Sequence, residues 1–304
     1  MSNYDFIIIG SGPAGLAAAQ YGARFGLKTL VLETDSSGGQ VMQITQLENY
    51  PGMGNTNGKT FTDNMRKMAL DFGAEIKTEK VISLDKIKDE FQVHTKKETY
   101  TALCVLLATG AVHRTLEVKG EKEFNGRGVS YCAVCDGPFF KNKRILVVGG
   151  GDSACAEAIY LSSISKDVTL VHRRNELRAQ KAVVEKMIAA GVKIKYDTVI
   201  TEIAGTNLVE QVTFQNTKTG EESTEKADAV FIFTGMEPQT ELIDFLQKDK
   251  GGYIITDENM ATLIPGLFAA GDVRAKPLRQ IVTAVSDGAT AAYSAKEYIY
   301  EKNN

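Results

Sequence analysis

The chain has 304 residues, of which 43% are apolar and 24% are charged, so it can bury the cores of two domains. Its net charge of -3, without a long run of like charge, argues against nucleic acid or an anionic membrane as the partner. The N-terminus lacks the basic and apolar regions of a secretory signal, and no apolar run approaches the ~20 residues of a spanning helix, so we expect a cytoplasmic protein.

The chain opens with the pattern of a strand, a glycine turn and a helix. Apolar Tyr4–Ile9 predicts the strand, and Gly10–Gly15 predicts the turn. The helix is predicted from Ala14 to Phe25, followed by Gly26, because glycine accepts the positive φ of a helix end. A second strand, Thr29–Glu33, ends on an acid, and this order is typical of a dinucleotide-binding βαβ unit.

The middle of the chain repeats this order. Lys143–Val148 predicts a strand and Gly149–Gly151 a turn. A helix is predicted from Ser153 to about Ser163, and Asp167–Val171 predicts the next strand. Strands that alternate with helices imply parallel βαβ sheets with three-layer packing.

A strand pair follows the βαβ unit in each half. In the first, Glu90–Thr95 turns and returns as an apolar strand that ends at Ala108–Gly110. In the second, Val209–Phe214 and Ala229–Phe233 flank a polar segment that predicts a turn.

The C-terminal part predicts a strand and glycine turn at Pro265–Asp272 and a helix over 279–300, without a nucleotide turn of its own. We therefore expect it to pack on the first unit. The predicted fold is α/β, with two Rossmann-like dinucleotide-binding domains of the three-layer ββα type, the second inserted in the first. The predicted boundaries are 1–113 and 242–304 for the first domain and 114–241 for the inserted one.

The first glycine turn has the context of a pyrophosphate site, because it follows a strand and opens a helix. Gly10 would form the tight turn, Gly12 would let the backbone approach phosphate, and Gly15 would let helix and strand pack closely. Glu33 lies 23 residues after Gly10, where a carboxylate accepts hydrogen bonds from ribose hydroxyls. We also assign Pro13 and Ala14 to this cofactor site.

The second turn differs at the position that contacts the ribose. It reads Gly149, Gly151 and Ala154 at the motif positions, and 24 residues after Gly149 the chain reaches Arg173. Cations here would pair with a 2′-phosphate, which favours NADPH over NADH. The cationic group comprises His172, Arg173, Arg174 and Arg178. Asp152 and Ser153 are predicted to cap the helix and to lie at the cofactor.

Cys132 and Cys135 are close enough in sequence to form a small disulfide loop, and Gly149 follows 14 residues after Cys135. Asp136 is a candidate proton donor to a leaving thiolate, with a helix cap or turn residue as the alternative. Zinc would need four ligands, and the remaining cysteines, Cys104 and Cys155, are single and predicted to be buried, so we predict no metal.

The combination of motifs resembles the bacterial-type, low-molecular-weight thioredoxin reductases over essentially the whole chain. The motifs that carry the resemblance are Gly10–Gly15, Gly38–Gln40, Glu48–Gly52, Ala108–Gly110, Cys132–Asp136, Gly149–Ala154, His172–Arg174, Gly271–Val273 and Arg279–Ile281. The resemblance implies FAD on the first domain, NADPH on the inserted domain, thioredoxin as the protein substrate, and a homodimer. Cys155 and Ala156 depart from related chains, which we interpret as helix packing.

The resemblance also implies individual roles. Cys135 would be the sulfur nearest the flavin, Cys132 the sulfur that exchanges with thioredoxin, and Asp136 the acid. The remaining flavin-site residues that it implies are Gly39, Gln40, Asn49, Thr109, Gly110, Gly271, Asp272, Arg279, Gln280 and Ile281.

One flavin would have to serve both NADPH and a disulfide that also reaches a protein substrate. We therefore expect the inserted domain to rotate, with hinges near 111–118 and 236–245, the second flanked by Gly235 and Pro238. Competing interpretations are a flavin reductase or NADPH oxidase, a related reductase of another dithiol protein, and a non-catalytic flavin redox sensor.

Overall fold

The computed structural model describes residues 2–35, 37–44, 47, 49–54 and 56–303, and they form two compact units. Unit 1 comprises Met1–Val112 and Glu237–Asn304, and unit 2 comprises His113–Met236. The α-helices are α1 (Pro13–Arg24), α2 (Gly58–Asp71), α3 (Ala133–Asp136), α4 (Asp152–Ile164), α5 (Lys181–Ala189) and α6 (Ile281–Asn303). The strands are β1 (Ser2–Ile9), β2 (Thr29–Glu33), β3 (Glu75–Thr78), β4 (Val81–Ile87), β5 (Glu90–Thr95), β6 (Thr99–Leu107), β7 (Ala111–His113), β8 (Val129–Ser130), β9 (Arg144–Gly149), β10 (Asp167–Val171), β11 (Lys193–Lys195), β12 (Thr198–Gly205), β13 (Val209–Asn216), β14 (Glu222–Lys226), β15 (Ala229–Phe233), β16 (Met236–Pro238) and β17 (Leu267–Ala269).

Unit 1 contains a parallel sheet in the order β3-β2-β1-β6-β17. The long strand β6 has a second role, because its first half pairs with β5 in an antiparallel meander of β4, β5 and β6. Its second half pairs in parallel with β17, with Val105 opposite Leu267. Strand β6 therefore joins the parallel sheet to the meander, and the hairpin predicted from Glu90 to Gly110 is confirmed.

Unit 2 repeats this plan. Its parallel sheet has the order β11-β10-β9-β15-β8, and a separate antiparallel sheet has the order β12-β13-β14. The predicted α/β fold class, with Rossmann-type sheets, is confirmed. One detail was wrong: the polar segment between β13 and β15 contains strand β14, whose polar side chains face solvent and gave no apolar signal.

Apolar side chains cover the parallel sheet of unit 1 on both faces, as expected for strands without a solvent-facing side. Phe6 and Ile8 of β1 point into one core and Ile7 into the other, so successive residues alternate between the two. Helices α1 and α6 pack on the face of Phe6 and Ile8. Their backbones approach closely at one point, where a Cβ on Gly288 would lie 2.0 Å from the Ala14 carbonyl oxygen.

The chain crosses between the units at β7 and again at β16, and these two strands pair with each other. Within unit 2, the Arg114 N–H donates to the Gly235 carbonyl at 3.0 Å. Within unit 1, the Gln239 N–H donates to the Gly110 carbonyl at 2.9 Å. Each crossing is therefore tied to the other by backbone hydrogen bonds.

Candidate functional site

The first glycine turn connects β1 to α1 at the carboxyl edge of the unit 1 sheet. Gly10 has φ of +101°, and a Cβ there would lie 2.4 Å from the Ala108 carbonyl oxygen. A Cβ on Gly15 would lie 1.9 Å from the Gly10 carbonyl oxygen. Neither position can hold a larger residue, because β1, β6 and α1 converge here.

Gly12 needs a different explanation. Its φ of −69° and ψ of −177° are open to any residue, and a Cβ there would have no protein atom within 4 Å. Neither the backbone nor the protein packing therefore requires glycine. The space lies at the N-terminus of α1, where backbone N–H groups attract phosphate, so the turn fits a dinucleotide pyrophosphate.

Glu33 ends β2 beside this turn. One carboxylate oxygen accepts hydrogen bonds from the Ser11 N–H and the Ser11 hydroxyl, both at 2.8 Å. The other oxygen accepts the Thr34 N–H at 2.7 Å. The turn itself therefore orients the carboxylate, and its bond to a ribose hydroxyl stays a prediction.

The segment that carries Gly39 and Gln40 lies against the same turn. The Gly38 N–H donates to the Ser11 carbonyl at 2.9 Å, and a Cβ on Gly39 would lie 3.3 Å from the Gly12 Cα. The side-chain amide of Gln40 donates to the Ala111 carbonyl. Glu48 of the predicted motif lies outside the described residues.

Three distant segments meet at the start of α6. The Asn49 side-chain amide donates to the Gln280 side-chain oxygen at 3.0 Å. Ile281 packs on the small apolar cluster that contains Val41, Leu47 and Phe61. The structure thus brings Asn49 to the predicted flavin residues Gln280 and Ile281, which follow it by more than 200 positions in sequence.

Asp272 follows β17 at the same edge. Its Oδ1 is buried and has no hydrogen-bond partner among the described residues; the Lys276 ammonium lies 3.6 Å away. Burial raises the pKa of the Asp272 carboxyl, against the opposing effects of Lys276 and Arg279. A buried acceptor without a hydrogen-bond partner is costly even beside an ammonium group, so this position fits the hydroxyl of a bound ligand. Gly271 lies beside Ala14, where a Cβ would come within 2.9 Å of the alanine methyl.

A buried ionic network that the sequence did not reveal supports Asp272. Asp287 of α6 accepts the Gly271 N–H at 3.0 Å and pairs with Lys276 at 3.1 Å. Its other oxygen pairs with Arg274 at 3.3 Å. No local spacing indicates this network, because its members come from a loop and from the second turn of a helix.

Arg279 and Thr109 already have contacts within unit 1. The Arg279 guanidinium lies 3.9 Å from the centre of the Tyr253 ring, and its Nε is buried without a hydrogen-bond partner in the described part of the chain. The Thr109 hydroxyl donates to the Gln239 carbonyl at 2.6 Å. Thr109 and Gly110 therefore lie in the loop after β6, next to the first turn.

The second glycine turn, between β9 and α4 in unit 2, reproduces the first. Gly151 has φ of −100° and ψ of 178°, and a Cβ there would have no protein atom within 4 Å. A Cβ on Gly149 would lie 2.5 Å from the Ala154 methyl and 2.7 Å from the Phe233 carbonyl oxygen. As at Gly12, neither the backbone nor the protein packing requires glycine at Gly151, and the open space fits a ligand.

The side chain of His172 packs against this turn and bonds to its backbone. It is buried, and its Nδ1–H donates to the Gly149 carbonyl at 2.8 Å, while Nε2 has no partner among the residues described. A Cβ on Gly150 would lie 2.2 Å from the imidazole ring. The motif accepts any residue at position 150, but here the ring of His172 leaves room only for glycine.

The three arginines of the cationic group, Arg173, Arg174 and Arg178, are exposed. Their guanidinium groups form no ion pair within the part of the chain that the structure describes. The Arg178 N–H donates to the Gly150 carbonyl at 2.7 Å, which holds this segment across the turn. Unpaired guanidinium groups beside a pyrophosphate turn fit a 2′-phosphate.

Two sequence predictions about α4 were wrong: the side-chain cap and the packing of Ala156. The N-cap of this helix is Gly151, without a side-chain hydrogen bond. The Asp152 carboxylate instead accepts the Gln180 N–H at 2.7 Å, at the start of α5. Ser153 is exposed in the first turn of α4. Cys155 packs in the core as predicted, but Ala156 is exposed, because the two residues lie about 100° apart around the helix.

Cys132 and Cys135 form a disulfide. Cys132 is the N-cap of α3, and its Sγ accepts the Cys135 N–H at 3.2 Å. Asp136 follows in the same turn, and its Oδ2 accepts the Ser130 hydroxyl at 2.6 Å. Burial raises the pKa of the Asp136 carboxyl, and the Ser130 bond offsets part of that rise.

The sheet topology brings this disulfide to the edge that carries the second glycine turn. Strands β8, β15 and β9 are neighbours and parallel, so their carboxyl ends lie at one edge. The disulfide follows β8 and the turn follows β9. Gly137 anchors the segment on α4, since a Cβ there would lie 2.9 Å from the Leu161 side chain.

The other cysteines are buried and free. Burial raises the pKa of the Cys104 thiol to about 12, so it carries little thiolate at neutral pH. No group of three or more potential metal ligands was found among the described residues. Of the helices described, none has the length and apolar character needed to cross a membrane.

Comparisons with known proteins agree with this geometry. The family model of the pyridine nucleotide-disulphide oxidoreductases matches residues 4–288. The thioredoxin reductase of Treponema pallidum (strain Nichols) is 49% identical over 300 residues, which cover 98% of each chain. The solved thioredoxin reductase of Streptococcus pyogenes is 44% identical and has a TM-score of 0.94, with 99% of each chain covered. That of Lactococcus lactis, in an FR conformation, is 43% identical with a TM-score of 0.67, covering 98% of this chain and 99% of the other.

Proposed function

This chain belongs to the pyridine nucleotide-disulphide oxidoreductase family, and within it to the thioredoxin reductases; on that premise we propose that Cys132 and Cys135 carry its electrons to thioredoxin. The observation that carries the proposal is the Cys132–Cys135 disulfide, placed at the same sheet edge of unit 2 as the Gly149–Gly151 turn. A redox pair and a nucleotide turn on one edge suit a reductase.

The family uses FAD and NADPH. When bound, FAD couples the hydride chemistry of NADPH to the two-electron chemistry of a disulfide. We assign FAD to unit 1, where Gly12 leaves an open space and Asp272 has a buried oxygen without a hydrogen-bond partner among the described residues. We assign NADPH to unit 2, where Gly151 and the exposed arginines offer the corresponding features.

The exchange with thioredoxin uses three side chains. The Cys132 thiolate, having lost its proton to water, attacks one sulfur of the thioredoxin disulfide; a mixed S–S bond forms, the substrate S–S bond breaks, and Asp136 protonates the leaving thiolate. The Cys135 thiol then passes its proton to Asp136 and attacks the Cys132 Sγ. The Cys132–Cys135 bond re-forms, and the second substrate thiolate takes a proton from water. Thioredoxin gains two electrons and two protons, and the cysteine pair loses them.

Two apolar side chains next to the disulfide are candidates for the docking of the protein substrate. Val134, between the two cysteines, is 41% exposed, and Phe139 is 43% exposed. Exposed large apolar residues beside a reactive group are typical of a protein-binding site. We therefore place thioredoxin on this surface of unit 2.

We propose, as from the sequence, that unit 2 rotates. The packing of the flanking residues shortens the two ranges in which the hinges can lie. Leu116 and Val118 already pack on the core of unit 2, while Ile243 and Leu246 belong to the core of unit 1. The flexible parts should therefore lie before Leu116 and before Ile243. Solved relatives of nearly equal identity, 44% and 43%, match this chain with TM-scores of 0.94 and 0.67, as expected of a family that has been solved in more than one conformation.

A homodimer in the cytoplasm remains our proposal for the assembled state. Tyr21 of α1, Phe25 at the end of that helix and Tyr293 of α6 form an exposed aromatic cluster, in which the Phe25 ring centre lies 6.0 Å from that of Tyr21 and 6.3 Å from that of Tyr293. Aromatic side chains are enriched in subunit interfaces. Light scattering of Tyr293→Glu should show a shift toward the monomer if this cluster forms the interface.

The decisive assay is steady-state NADPH oxidation with purified thioredoxin and a dithiol indicator. Cys135→Ser should retain flavin reduction by NADPH and lose thioredoxin turnover, while Cys155→Ala, a buried control, should keep both. Persistent turnover in Cys135→Ser would reject the cysteine pair. Stoichiometric rather than catalytic NADPH consumption would instead favour a redox sensor, and turnover with a different dithiol protein alone would reject thioredoxin.

A further inference from the structure

Ser130, the last residue of β8, lies between the disulfide and its neighbouring acid. It is 3% exposed. Its hydroxyl donates to Asp136 Oδ2 at 2.6 Å, and its oxygen accepts the Cys132 N–H at 3.0 Å. One small side chain therefore contacts both the backbone of the exchanging cysteine and the carboxyl of the proposed acid.

The hydroxyl has a choice of acceptor. A serine hydroxyl has one proton to donate and can accept two hydrogen bonds. The second acceptor in reach is the Cys132 carbonyl, at 3.3 Å. When Asp136 is ionised, the charge-assisted bond to its carboxylate is the stronger one. When Asp136 is protonated, its O–H can donate to the Ser130 oxygen, and the serine proton can turn to the Cys132 carbonyl.

We propose that Ser130 is a positioning residue, whose hydroxyl holds the Asp136 carboxyl in one place both before and after the acid releases its proton. The inference rests on the proposed role of Asp136 in thioredoxin reduction. It adds a residue to that site, because a carboxyl that moves on changing its charge would be misplaced for half of the exchange.

The surroundings of Asp136 leave this role to Ser130. Helix α3 packs on α4 and on the short 3-10 turn Gly137–Phe140, and the nearest side chains of α4 at Gly137 are Leu161, Ile164 and the titratable Tyr160. Burial raises the pKa of the Asp136 carboxyl, and the Ser130 bond lowers it. Removing the hydroxyl should therefore raise that pKa further.

The test compares Ser130→Ala, Ser130→Thr and Ser165→Ala. Ser165 is a matched control in unit 2: it is 2% exposed, donates to the Lys143 carbonyl, and accepts an N–H two residues on, that of Asp167, at 3.3 Å. The measurements are the pH profile of thioredoxin turnover, flavin reduction by NADPH, and infrared titration of the Asp136 carboxyl, identified by subtraction of Asp136→Asn.

We expect Ser130→Ala to lower kcat with thioredoxin by about 10-fold or more, since hydrogen bonds to charged groups are worth roughly that factor. The alkaline limb of its profile and the carboxyl titration should both move to higher pH, with flavin reduction and the KM for thioredoxin unchanged. Ser130→Thr should restore the wild-type values, and Ser165→Ala should not change them.

The outcomes distinguish a failure of the acid role of Asp136 from a failure of the positioning role of Ser130 alone. If Asp136→Asn turns over thioredoxin at the wild-type rate, the acid role fails and the role of Ser130 fails with it. If Asp136→Asn is impaired but Ser130→Ala has the kcat and the carboxyl titration of Ser165→Ala, only the positioning role is overturned. A loss in Ser130→Ala that Ser130→Thr does not recover, without a shift of the titration, also overturns it.

Discussion

The Tyr131 hydroxyl donates a hydrogen bond of 2.8 Å to Oε1 of Glu121, a carboxylate that is 1% exposed. The same carboxylate accepts the backbone N–H groups of Leu116 at 2.9 Å and of Glu117 at 2.7 Å. The aromatic ring of Tyr131 stacks on the ring of His113, with the ring centres 5.0 Å apart. The residue that precedes Cys132 is thus fastened within unit 2 to the segment by which the chain enters that unit.

Glu121→Gln should therefore destabilise unit 2 by about 2–3 kcal/mol, because an amide nitrogen would face backbone N–H donors in a buried site. Tyr131→Phe removes one hydrogen bond to a charged group and should cost about 1.5 kcal/mol. Urea unfolding followed by circular dichroism measures both. Glu176→Gln, at an exposed position of the same unit, is the control. Equal midpoints for Glu121→Gln and the control would mean that the buried carboxylate does not support the segment.

The cationic group beside the second turn should set the choice of nucleotide. Replacing Arg173 and Arg174 together by Ala should raise the KM for NADPH by about 10–100-fold and leave that for NADH nearly unchanged, because the phosphate–arginine pairing that they provide together is worth about 1.5–3 kcal/mol. Lys181→Ala, which removes another exposed cation of unit 2, should change neither value. An unaltered preference in the double variant would exclude these arginines from the 2′-phosphate site.

The glycine of the first turn offers a test of the FAD site that does not depend on turnover. Gly12→Ala should fold normally, because its backbone angles suit alanine and no protein atom lies within 4 Å of the new methyl. It should weaken FAD binding by about tenfold or more, equivalent to 1.4 kcal/mol, because the methyl would enter the space that we assign to pyrophosphate. Flavin content and FAD titration of the apoprotein measure this.

Gly54→Ala is the control for that experiment, since Gly54 also has no protein atom within 4 Å of a Cβ and is not among the residues assigned to the FAD site. Wild-type affinity for FAD in both variants would show that the space at Gly12 is not filled by the cofactor.

The buried acid next to the disulfide should leave a signature in the pH dependence of stability. Burial raises the pKa of the Asp136 carboxyl, so the native state binds its proton at pH values where the unfolded chain, with a carboxyl pKa near ~3.9, has released it. Stability should therefore fall as pH rises from about 3.9 through the folded pKa. Asp136→Asn should lack this decline while losing on the order of 10²–10⁴ in thioredoxin turnover.

Urea midpoints of the wild type and Asp136→Asn between pH 4 and 8 would show the effect as a difference that grows in favour of the variant as pH rises. A difference that does not vary with pH would mean that the carboxyl titrates alike in the folded and unfolded states.

Much of the scaffold was predictable because its signals are local. The strand patterns at Tyr4–Ile9 and Lys143–Val148 and the glycine turns after them depend on residues within one or two helical turns of each other. Strand β14 was missed because edge strands with solvent-facing polar residues lack that periodicity. The cap predicted for Asp152 was wrong because a side chain at a helix start can also bond to another helix.

The amino-acid sequence alone determined the strand–turn–helix–strand order of each βαβ unit, the positions of both glycine turns, the acid of one and the arginines of the other, and the spacing of the two cysteines. Only the tertiary structure decided that Ser130 bonds to Asp136, that Glu121 holds Tyr131, that the ring of His172 lies under Gly150, and that Asp287 supports the loop at Asp272. The physical reason is the separation along the chain over which each kind of interaction acts. Periodicity and turn chemistry act between neighbours along the chain, whereas a buried polar group takes whichever partner the packed sheets and helices bring within hydrogen-bonding distance.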